Sequence, residues 1–467
     1  MLFDTPVYFV FLILVVALYW KLPHKGQNIF LLAASYFFYG WWDWRFLFLM
    51  AGSTITDFWV ARGIERSGNP KVKKQLLILS LVLNFGFLGY FKYLNFFLDS
   101  FARMASLLGA HDIPTAVIRI ILPPAISFYT FQEVAYIVDV YKGRIKAAHS
   151  LAEYALFISL FPHLIAGPIQ RPSHLLPQMA SPRRFDPERF FQGCMLIVTG
   201  LVRKCVIADN CAALANAAFS GRFAQGAAGT LIGVYAFAFQ IYGDFSGYSD
   251  LARGSAQVLG FHFMVNFRQP YLATSVQDFW RRWHISLSTW LRDYLYIPLG
   301  GNRMGERRTY FNLLVTMLLG GLWHGANWTF VFWGALHGGA LALERWFGLA
   351  AKTEEGFLRL WIRRIIVFNF VCFTWVFFRA PSLGAAWNLL RQLANPAWSS
   401  DFPAAATFLA GFVVLALGLD LILENNNVEY PLQNLSPTWQ MVTAAAGIVL
   451  VALLSLGQLN AFIYFQF

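Results

Sequence analysis

Two histidines, His284 and His324, each follow a tryptophan in strongly apolar sequence. Imidazole is the side chain best suited to moving protons near neutral pH. The stretch from Tyr310 to Trp346 around the second histidine has its only strongly ionised side chains at its far end. A polar side chain inside a membrane loses its hydrogen bonds to water, and lipid does not replace them. A histidine retained there therefore indicates a chemical role. The two histidines are therefore candidate acid–base or nucleophilic residues.

The composition indicates a membrane protein. The 467 residues are 58% hydrophobic and 13% charged, whereas ordinary globular domains carry about 25% charged residues. Several apolar runs reach or approach the roughly 20 residues needed to cross a bilayer. The runs are Val7–Tyr19, Ile29–Phe38, Leu76–Phe91, Leu156–Ile165, Met195–Leu201, Leu231–Phe239, Leu313–Leu322, Ile365–Phe378, Phe408–Leu423 and Met441–Leu456. The predicted fold class is an all-α, polytopic integral membrane protein.

These runs predict roughly 9 to 13 embedded helices, with about eleven full crossings and one or two re-entrant or interfacial pieces. Pro123-Pro124 and the segment Phe161–Pro168 would break a straight helix, which is tolerated at membrane depth only inside protein or along a cavity. No long linker interrupts the chain, so we expect one integrated domain over residues 1–467. The N-terminal run has Asp4 in place of a basic flank and is interpreted as a retained helix.

The net charge of +12 does not indicate a nucleic-acid partner, because the basic residues lie in short segments between apolar runs. That distribution is typical of cytoplasmic loops in the positive-inside rule. The four cysteines form no Cys-x-x-Cys pair and are predicted to be unpaired packing residues. His324 and His337 lack the spacing of a metal-binding pair, and no metal is expected.

The segment from Ser275 to Ile297 predicts an interfacial helix. Ser275 and Asp278 have capping-box spacing, Asp278 and Arg282 have the spacing of an i,i+4 ion pair, and aromatic residues recur every three or four positions. On spacing alone His284 is an interfacial anchor bonded to a backbone carbonyl. The functional alternative is a basic, aromatic entrance for an anionic donor. Its candidate binding residues are Arg281, Arg282, Trp283 and Arg303.

The surroundings of His324 favour close packing. Gly320, Gly321 and Gly325 permit tight helix contacts or a local break, and Asn327 is an amide able to orient the ring. The alternative to a catalytic role is a hydrogen-bonded packing histidine.

Other polar residues in apolar sequence are candidates for lining a cavity. Asp244 lies among small residues and is a possible histidine partner, and Gln132 is similarly placed after the double proline. Asp250 and Arg253 are predicted to pair at i,i+3. The chain has no Walker loop, dinucleotide fingerprint, nucleophile elbow or His-x-x-x-x-Asp box, which excludes the common soluble chemistries.

The most specific motifs are Gln277–Arg303, with its Arg-Arg-Trp-His-Ile-Ser core, and Gly321–Gly325, with its Leu-Trp-His core. Supporting stretches are Ser127–Gln132, Ala166–Ile169, Asp244–Asp250, Thr374–Arg379 and Phe462–Phe467. On these residues the chain resembles the bacterial branch of the membrane-bound O-acyltransferases over nearly its whole length. The run Gly260–Phe267 departs from the family pattern in carrying His262 and Met264, so the particular polysaccharide stays open.

The resemblance implies that His324 is the signature catalytic histidine and His284 the second functional one, inside a bundle of about eleven crossings around a central tunnel. It implies an O-acetyltransferase of the bacterial inner membrane that uses cytoplasmic acetyl-CoA and holds no tightly bound cofactor. The expected product is an O-acetylated, alginate-like exopolysaccharide, made through a periplasmic partner acetyltransferase. Whether His324 is a general base or forms an acyl-imidazole stays open. The alternatives are a D-alanyl transferase fed by a carrier protein, and a transporter or channel without acyl chemistry.

Overall fold

The computed structural model describes residues 1–109, 120–165, 167–222, 226–349, 356–430, 433–455 and 463, and its regular elements are all helical. The predicted all-α class is therefore confirmed. Ala166 and, apart from Ile463, the terminal stretch Phe462–Phe467 lie outside the described residues. Among the described residues, five segments are long and apolar enough to cross a membrane: Pro70–Leu107, Pro187–Phe219, Phe357–Arg379, Phe402–Asn426 and Pro437–Leu454. The count of about eleven crossings and the central tunnel stay predictions.

The chain forms two compact units. The first comprises Met1, Pro6–Phe190 and Ala256–Phe263, and the second comprises Leu2–Thr5, Phe191–Ser255 and Met264–Phe467. One integrated domain over residues 1–467 stays a prediction.

The first unit contains helices α1 to α9, with a π-helical turn at Gly89–Tyr93 between α4 and α5. The helix α6 begins at Ile126, directly after Pro123-Pro124 and Ala125, whose φ is 62°. The predicted helix break at the double proline is therefore confirmed. The bounds are α1 Pro6–Tyr19, α2 His24–Asp43, α3 Arg45–Arg66, α4 Pro70–Leu88, α5 Leu94–Leu107, α6 Ile126–Tyr141, α7 Leu151–Ser159, α8 Phe161–Leu164 and α9 Pro172–Ala180.

The second unit holds most or all of helices α10 to α20. Their bounds are α10 Pro187–Leu201, α11 Asp209–Phe219, α12 Ala227–Val258, α13 Val276–Arg282, α14 Ile285–Leu291, α15 Glu306–His324, α16 Trp328–Trp346, α17 Phe357–Arg379, α18 Leu383–Arg391, α19 Phe402–Asn426 and α20 Pro437–Leu454. The helices α10 and α11 are joined by a π-helical segment, Val202–Ala208.

Buried ion pairs connect this π-helical segment to α12. Arg203 contacts Asp250 at 2.7 Å, and Lys204 contacts Asp244 at 2.8 Å. The predicted i,i+3 pair between Asp250 and Arg253 is confirmed at 3.6 Å. Buried charges are stable only when they are paired, so these contacts hold α12 in one position. Asp244 is consequently the partner of a lysine, not of a histidine.

The helices α15 and α16 pack closely, and His324 is the last residue of α15. A Cβ atom on Gly321 would lie 2.2 Å from the carbonyl oxygen of Phe330. A Cβ atom on Gly334 would lie 2.2 Å from the carbonyl oxygen of Met317. Only glycine allows backbones to approach this closely, so the predicted tight packing around His324 is confirmed.

Replacing Gly334 with alanine is expected to destabilise the protein by about 1–3 kcal/mol, because the added methyl group forces α15 and α16 apart. The measurement is the midpoint of thermal unfolding in detergent. Gly339→Ala is the matched control in the same helix, since a Cβ atom there meets nothing within 4 Å. A control variant that loses as much stability as Gly334→Ala would show that the close approach is not the cause.

Candidate active site

The backbone around His284 is broken, and the prediction of one continuous helix from Ser275 to Ile297 is wrong. The helix α13 ends at Arg282, and His284 takes a left-handed conformation with φ of 44° before α14 begins. The start is as predicted, since Ser275 accepts a hydrogen bond from the backbone N–H of Asp278 at 2.9 Å. The predicted Asp278–Arg282 ion pair is also confirmed, at 3.0 Å.

Tertiary hydrogen bonds to Asn266 account for this break. The backbone N–H of Ile285 donates to the carbonyl oxygen of Asn266 at 2.9 Å, and that of Ser286 donates to its side-chain oxygen at 3.2 Å. These bonds replace the helical ones that the turn loses. His284 is 0% exposed, so its interpretation as an interfacial anchor is wrong.

Asn266 also determines which nitrogen of His284 carries the proton. Its side-chain oxygen lies 3.1 Å from Nδ1 of His284 and accepts from Ser286 Oγ at 2.9 Å, while its amide nitrogen donates to Ser249 Oγ at 3.2 Å. An amide oxygen only accepts, so Nδ1 carries the proton and Nε2 keeps its lone pair. Nε2 is buried and has no hydrogen-bond partner among the described residues. His284 lies outside the five candidate spans, and burial lowers its pKa to about 3.

His324 is 4% exposed and is surrounded by aromatic rings. The centroid of its imidazole lies 5.0 Å from Trp323, 5.2 Å from Trp333 and 5.3 Å from Phe378, in each case edge to face. The imidazole of His284 lies 6.4 Å away, between centroids. Two imidazole rings are thus brought together in a site from which water is largely excluded, an arrangement suited to proton transfer.

A cavity of about 670 Å³ lies in the second unit; Ile285, the residue after His284, lines it, and neither histidine is part of its wall. We call it the arginine-lined cavity, because its walls include Arg281, Arg292 and Arg345. Further lining residues are Gln277, Trp280, Ile285, Ser288, Thr289, Tyr296, Asn302, Thr316, Met317 and Glu344, whose carboxylate accepts from the backbone N–H groups of Val276 and Gln277. An apolar chamber with guanidinium groups in its wall suits a ligand that has an anionic part and an apolar part.

The four predicted donor-binding residues have different positions. Arg281 lines the arginine-lined cavity, whereas Trp283 is 1% exposed and is not among the residues of its wall. Arg282 is occupied by ion pairs with Asp278 and Glu424, at 3.0 Å and 2.9 Å. Arg303 is exposed and is not among the residues of the cavity wall.

Two further candidates have other partners. Asn327 caps α16, since its side chain accepts from the N–H of Thr329 at 3.1 Å and donates to the carbonyl of Pro381 at 3.0 Å. Gln132 lies in the first unit, where its amide nitrogen is 3.2 Å from Nδ1 of His163. Neither contact reaches His284 or His324.

Sequence reasoning missed three residues that hold the site: Asn266, Trp333 and His337. Each contacts residues that are distant in the sequence, so no helical or capping pattern marks it. The four cysteines are free, as predicted. No group of three or more His, Cys, Asp or Glu side chains suited to a metal ion occurs in the described part of the chain.

Comparison with known proteins gives the class. The model of the membrane-bound O-acyltransferase family matches residues 144–384. The chain is 45% identical over 395 residues to the probable alginate O-acetylase of Pseudomonas aeruginosa, covering 84% of this chain and 75% of that protein. It is 39% identical over 494 residues to the probable alginate O-acetylase of Pseudomonas putida, covering 100% of both. It is 37% identical over 429 residues to the peptidoglycan O-acetyltransferase of Helicobacter pylori, covering 85% and 80%.

The chain belongs to the membrane-bound O-acyltransferase family. It is an acyltransferase and a multi-pass membrane protein.

Proposed function

We propose that this acyltransferase is an O-acetyltransferase of the bacterial inner membrane, which takes acetyl groups from cytoplasmic acetyl-CoA for O-acetylation of an alginate-like exopolysaccharide. The names of its relatives support acetyl transfer to a polysaccharide. The observation that carries the proposal is the pair of buried imidazoles, 6.4 Å apart, together with the arginine-lined cavity, to whose wall Ile285 next to His284 belongs.

The donor binds in the arginine-lined cavity. The phosphates of acetyl-CoA contact Arg281 and Arg345, whose guanidinium groups form charge-assisted hydrogen bonds, and Arg292, whose Nε also pairs with Asp293 at 2.7 Å. The pantetheine arm follows the less polar wall at Thr316 and Met317. Acetyl-CoA is a substrate here, and the reaction needs no tightly bound cofactor.

In the transfer, His324 accepts the proton of the acceptor hydroxyl as the oxygen attacks the thioester carbonyl. The C–S bond breaks, a C–O bond forms, and the proton ends on the sulfur of coenzyme A. The lone pair of His284 Nε2 provides a second proton-accepting position for this movement. The alternative is attack by His324 itself to give an acyl-imidazole. With acetyl-CoA and no acceptor, that route gives a burst of one free coenzyme A per protein molecule, whereas the general-base route gives no burst.

The acceptor is a hydroxyl on the periplasmic side, supplied by a serine of a partner acetyltransferase that completes the transfer to polysaccharide. The test is reconstitution in liposomes with labelled acetyl-CoA on one side and the partner on the other. Labelled partner supports the proposal. Transfer of D-alanine from a carrier protein, or solute transport without loss of the thioester, would contradict it.

Reversing the charge of Arg281 is expected to raise the KM for acetyl-CoA about tenfold or more, because a hydrogen bond to a charged group contributes roughly 1.5–3 kcal/mol. The value of kcat should change little, as for a contact made equally in ground and transition states. Arg303→Glu is the matched control: it makes the same charge change at an exposed position outside the cavity wall. If Arg281→Glu and Arg303→Glu raise the KM equally, Arg281 contributes only long-range electrostatic attraction of the donor and no direct contact.

A further inference from the structure

His337 is a third buried histidine of the second unit, and its hydrogen bonds define one tautomer. The indole N–H of Trp280 donates to His337 Nδ1 at 3.3 Å, and His337 Nε2 lies 3.0 Å from the hydroxyl of Thr374. That hydroxyl donates its own proton to the carbonyl of Val371 at 2.8 Å, so it accepts from Nε2–H. His337 is therefore neutral: its proton is on Nε2, and the lone pair of Nδ1 accepts the hydrogen bond from the indole N–H of Trp280.

The indole held in this way lies in the wall of the arginine-lined cavity and is connected through Trp333 to His324. Trp280 lines the cavity, whereas Trp333 and His324 are not part of its wall. The ring of Trp280 lies 5.7 Å from that of Trp333, and the ring of Trp333 lies 5.2 Å from that of His324, between centroids. An acyl group directed from the cavity towards His324 therefore passes the indole of Trp280.

His337 does not have the position of a catalytic residue. Both ring nitrogens are occupied by protein partners, the side chain is 0% exposed, and it is absent from the cavity wall. We propose that His337, oriented by Thr374, is a positioning residue that fixes the indole of Trp280 in the wall of the arginine-lined cavity. It thereby limits the length of the acyl group that the enzyme transfers. The statement on acyl length rests on the proposed function.

The expected effect is on selectivity. One methylene in a fitted apolar pocket changes discrimination by about 10- to 200-fold. Without a hydrogen-bond acceptor at His337, the indole of Trp280 turns about its side-chain torsions, and the cavity widens at this position. We expect His337→Leu and Thr374→Val to lower the preference for acetyl-CoA over butyryl-CoA, measured as the ratio of kcat/KM, about tenfold.

Conservative and control variants separate positioning from packing. His337→Asn places an amide oxygen near the former Nδ1 and should keep the preference. Thr199→Val is the matched control for Thr374→Val, because Thr199 is also buried and donates to a carbonyl of its own helix, that of Met195, at 2.9 Å. Equal losses of preference in Thr199→Val and Thr374→Val would overturn the proposal.

A double-mutant cycle tests whether His337 acts through Trp280. Trp280→Phe removes the indole N–H, so adding His337→Leu to it should change the preference little further. If the losses of preference in Trp280→Phe and His337→Leu multiply in the double variant, His337 acts independently of Trp280, and the proposal is overturned.

A measurement that does not depend on acyl transfer distinguishes this proposal from the proposed function. In protein labelled with 5-fluorotryptophan, the ¹⁹F signal lost in Trp280→Phe identifies Trp280. That signal should move in His337→Leu and Thr374→Val but not in Thr199→Val. An unmoved signal would overturn the positioning role. A moved signal in protein that consumes no acyl-CoA would leave the positioning role standing and reject the acetyl-CoA reaction.

Discussion

Replacing His324 with alanine is expected to lower acetyl transfer about 100- to 10,000-fold, which is the usual contribution of a general acid–base residue. The substitution removes the imidazole from its contacts with Trp323, Trp333 and Phe378 and leaves His284, 6.4 Å away between ring centroids, as a neighbouring imidazole. The measurement is transfer of label from acetyl-CoA by the purified protein, together with the acetyl content of the polysaccharide.

The control keeps loss of chemistry apart from loss of folding. His324→Ala should reach the membrane and elute from size-exclusion chromatography like the unaltered protein. His174→Asn removes a histidine from the first unit, where its Nε2 lies 2.9 Å from the carbonyl of His262, and should retain transfer. Full acetylation by His324→Ala would remove His324 from the mechanism.

Substituting glutamine for His284 is expected to lower kcat by about 100-fold or more, because glutamine keeps hydrogen bonding but does not exchange a proton near neutral pH. The KM for acetyl-CoA should change little, since His284 is not part of the wall of the arginine-lined cavity. Association with the partner acetyltransferase should be unaffected. If His284→Gln keeps full kcat, His284 takes no part in catalysis, and His324 is the catalytic histidine without it.

Two observations sharpen this second test. Burial lowers the pKa of His284 to about 3, so the ring stays neutral from about pH 5 to 8 and the ratio of variant to unaltered kcat should be constant over that range. Asn266→Ala should give an intermediate loss of about tenfold, because it frees the ring to exchange tautomers while the base is still present. A ratio that falls steeply near pH 6.5 would contradict the buried, neutral state of His284.

The sequence by itself determined the membrane class and the local contacts. The length of the apolar runs predicts helices that cross a bilayer, because the thickness of the hydrocarbon core is constant. The cap at Ser275 and the pairs Asp278–Arg282 and Asp250–Arg253 were predictable, because three- and four-residue steps along a helix bring side chains together whatever surrounds them. The motifs around His284 and His324 indicated the family and the two histidines.

Only the tertiary structure decided how those histidines are arranged. The repeat of aromatic residues predicts an unbroken interfacial helix, yet bonds to Asn266 break it and bury His284 beside His324. The lysine partner of Asp244 and the chain from Thr374 through His337 to Trp280 also join residues far apart in the sequence. The physical reason is that such contacts depend on which helices pack together and how closely. A single sequence carries no local periodicity that records this.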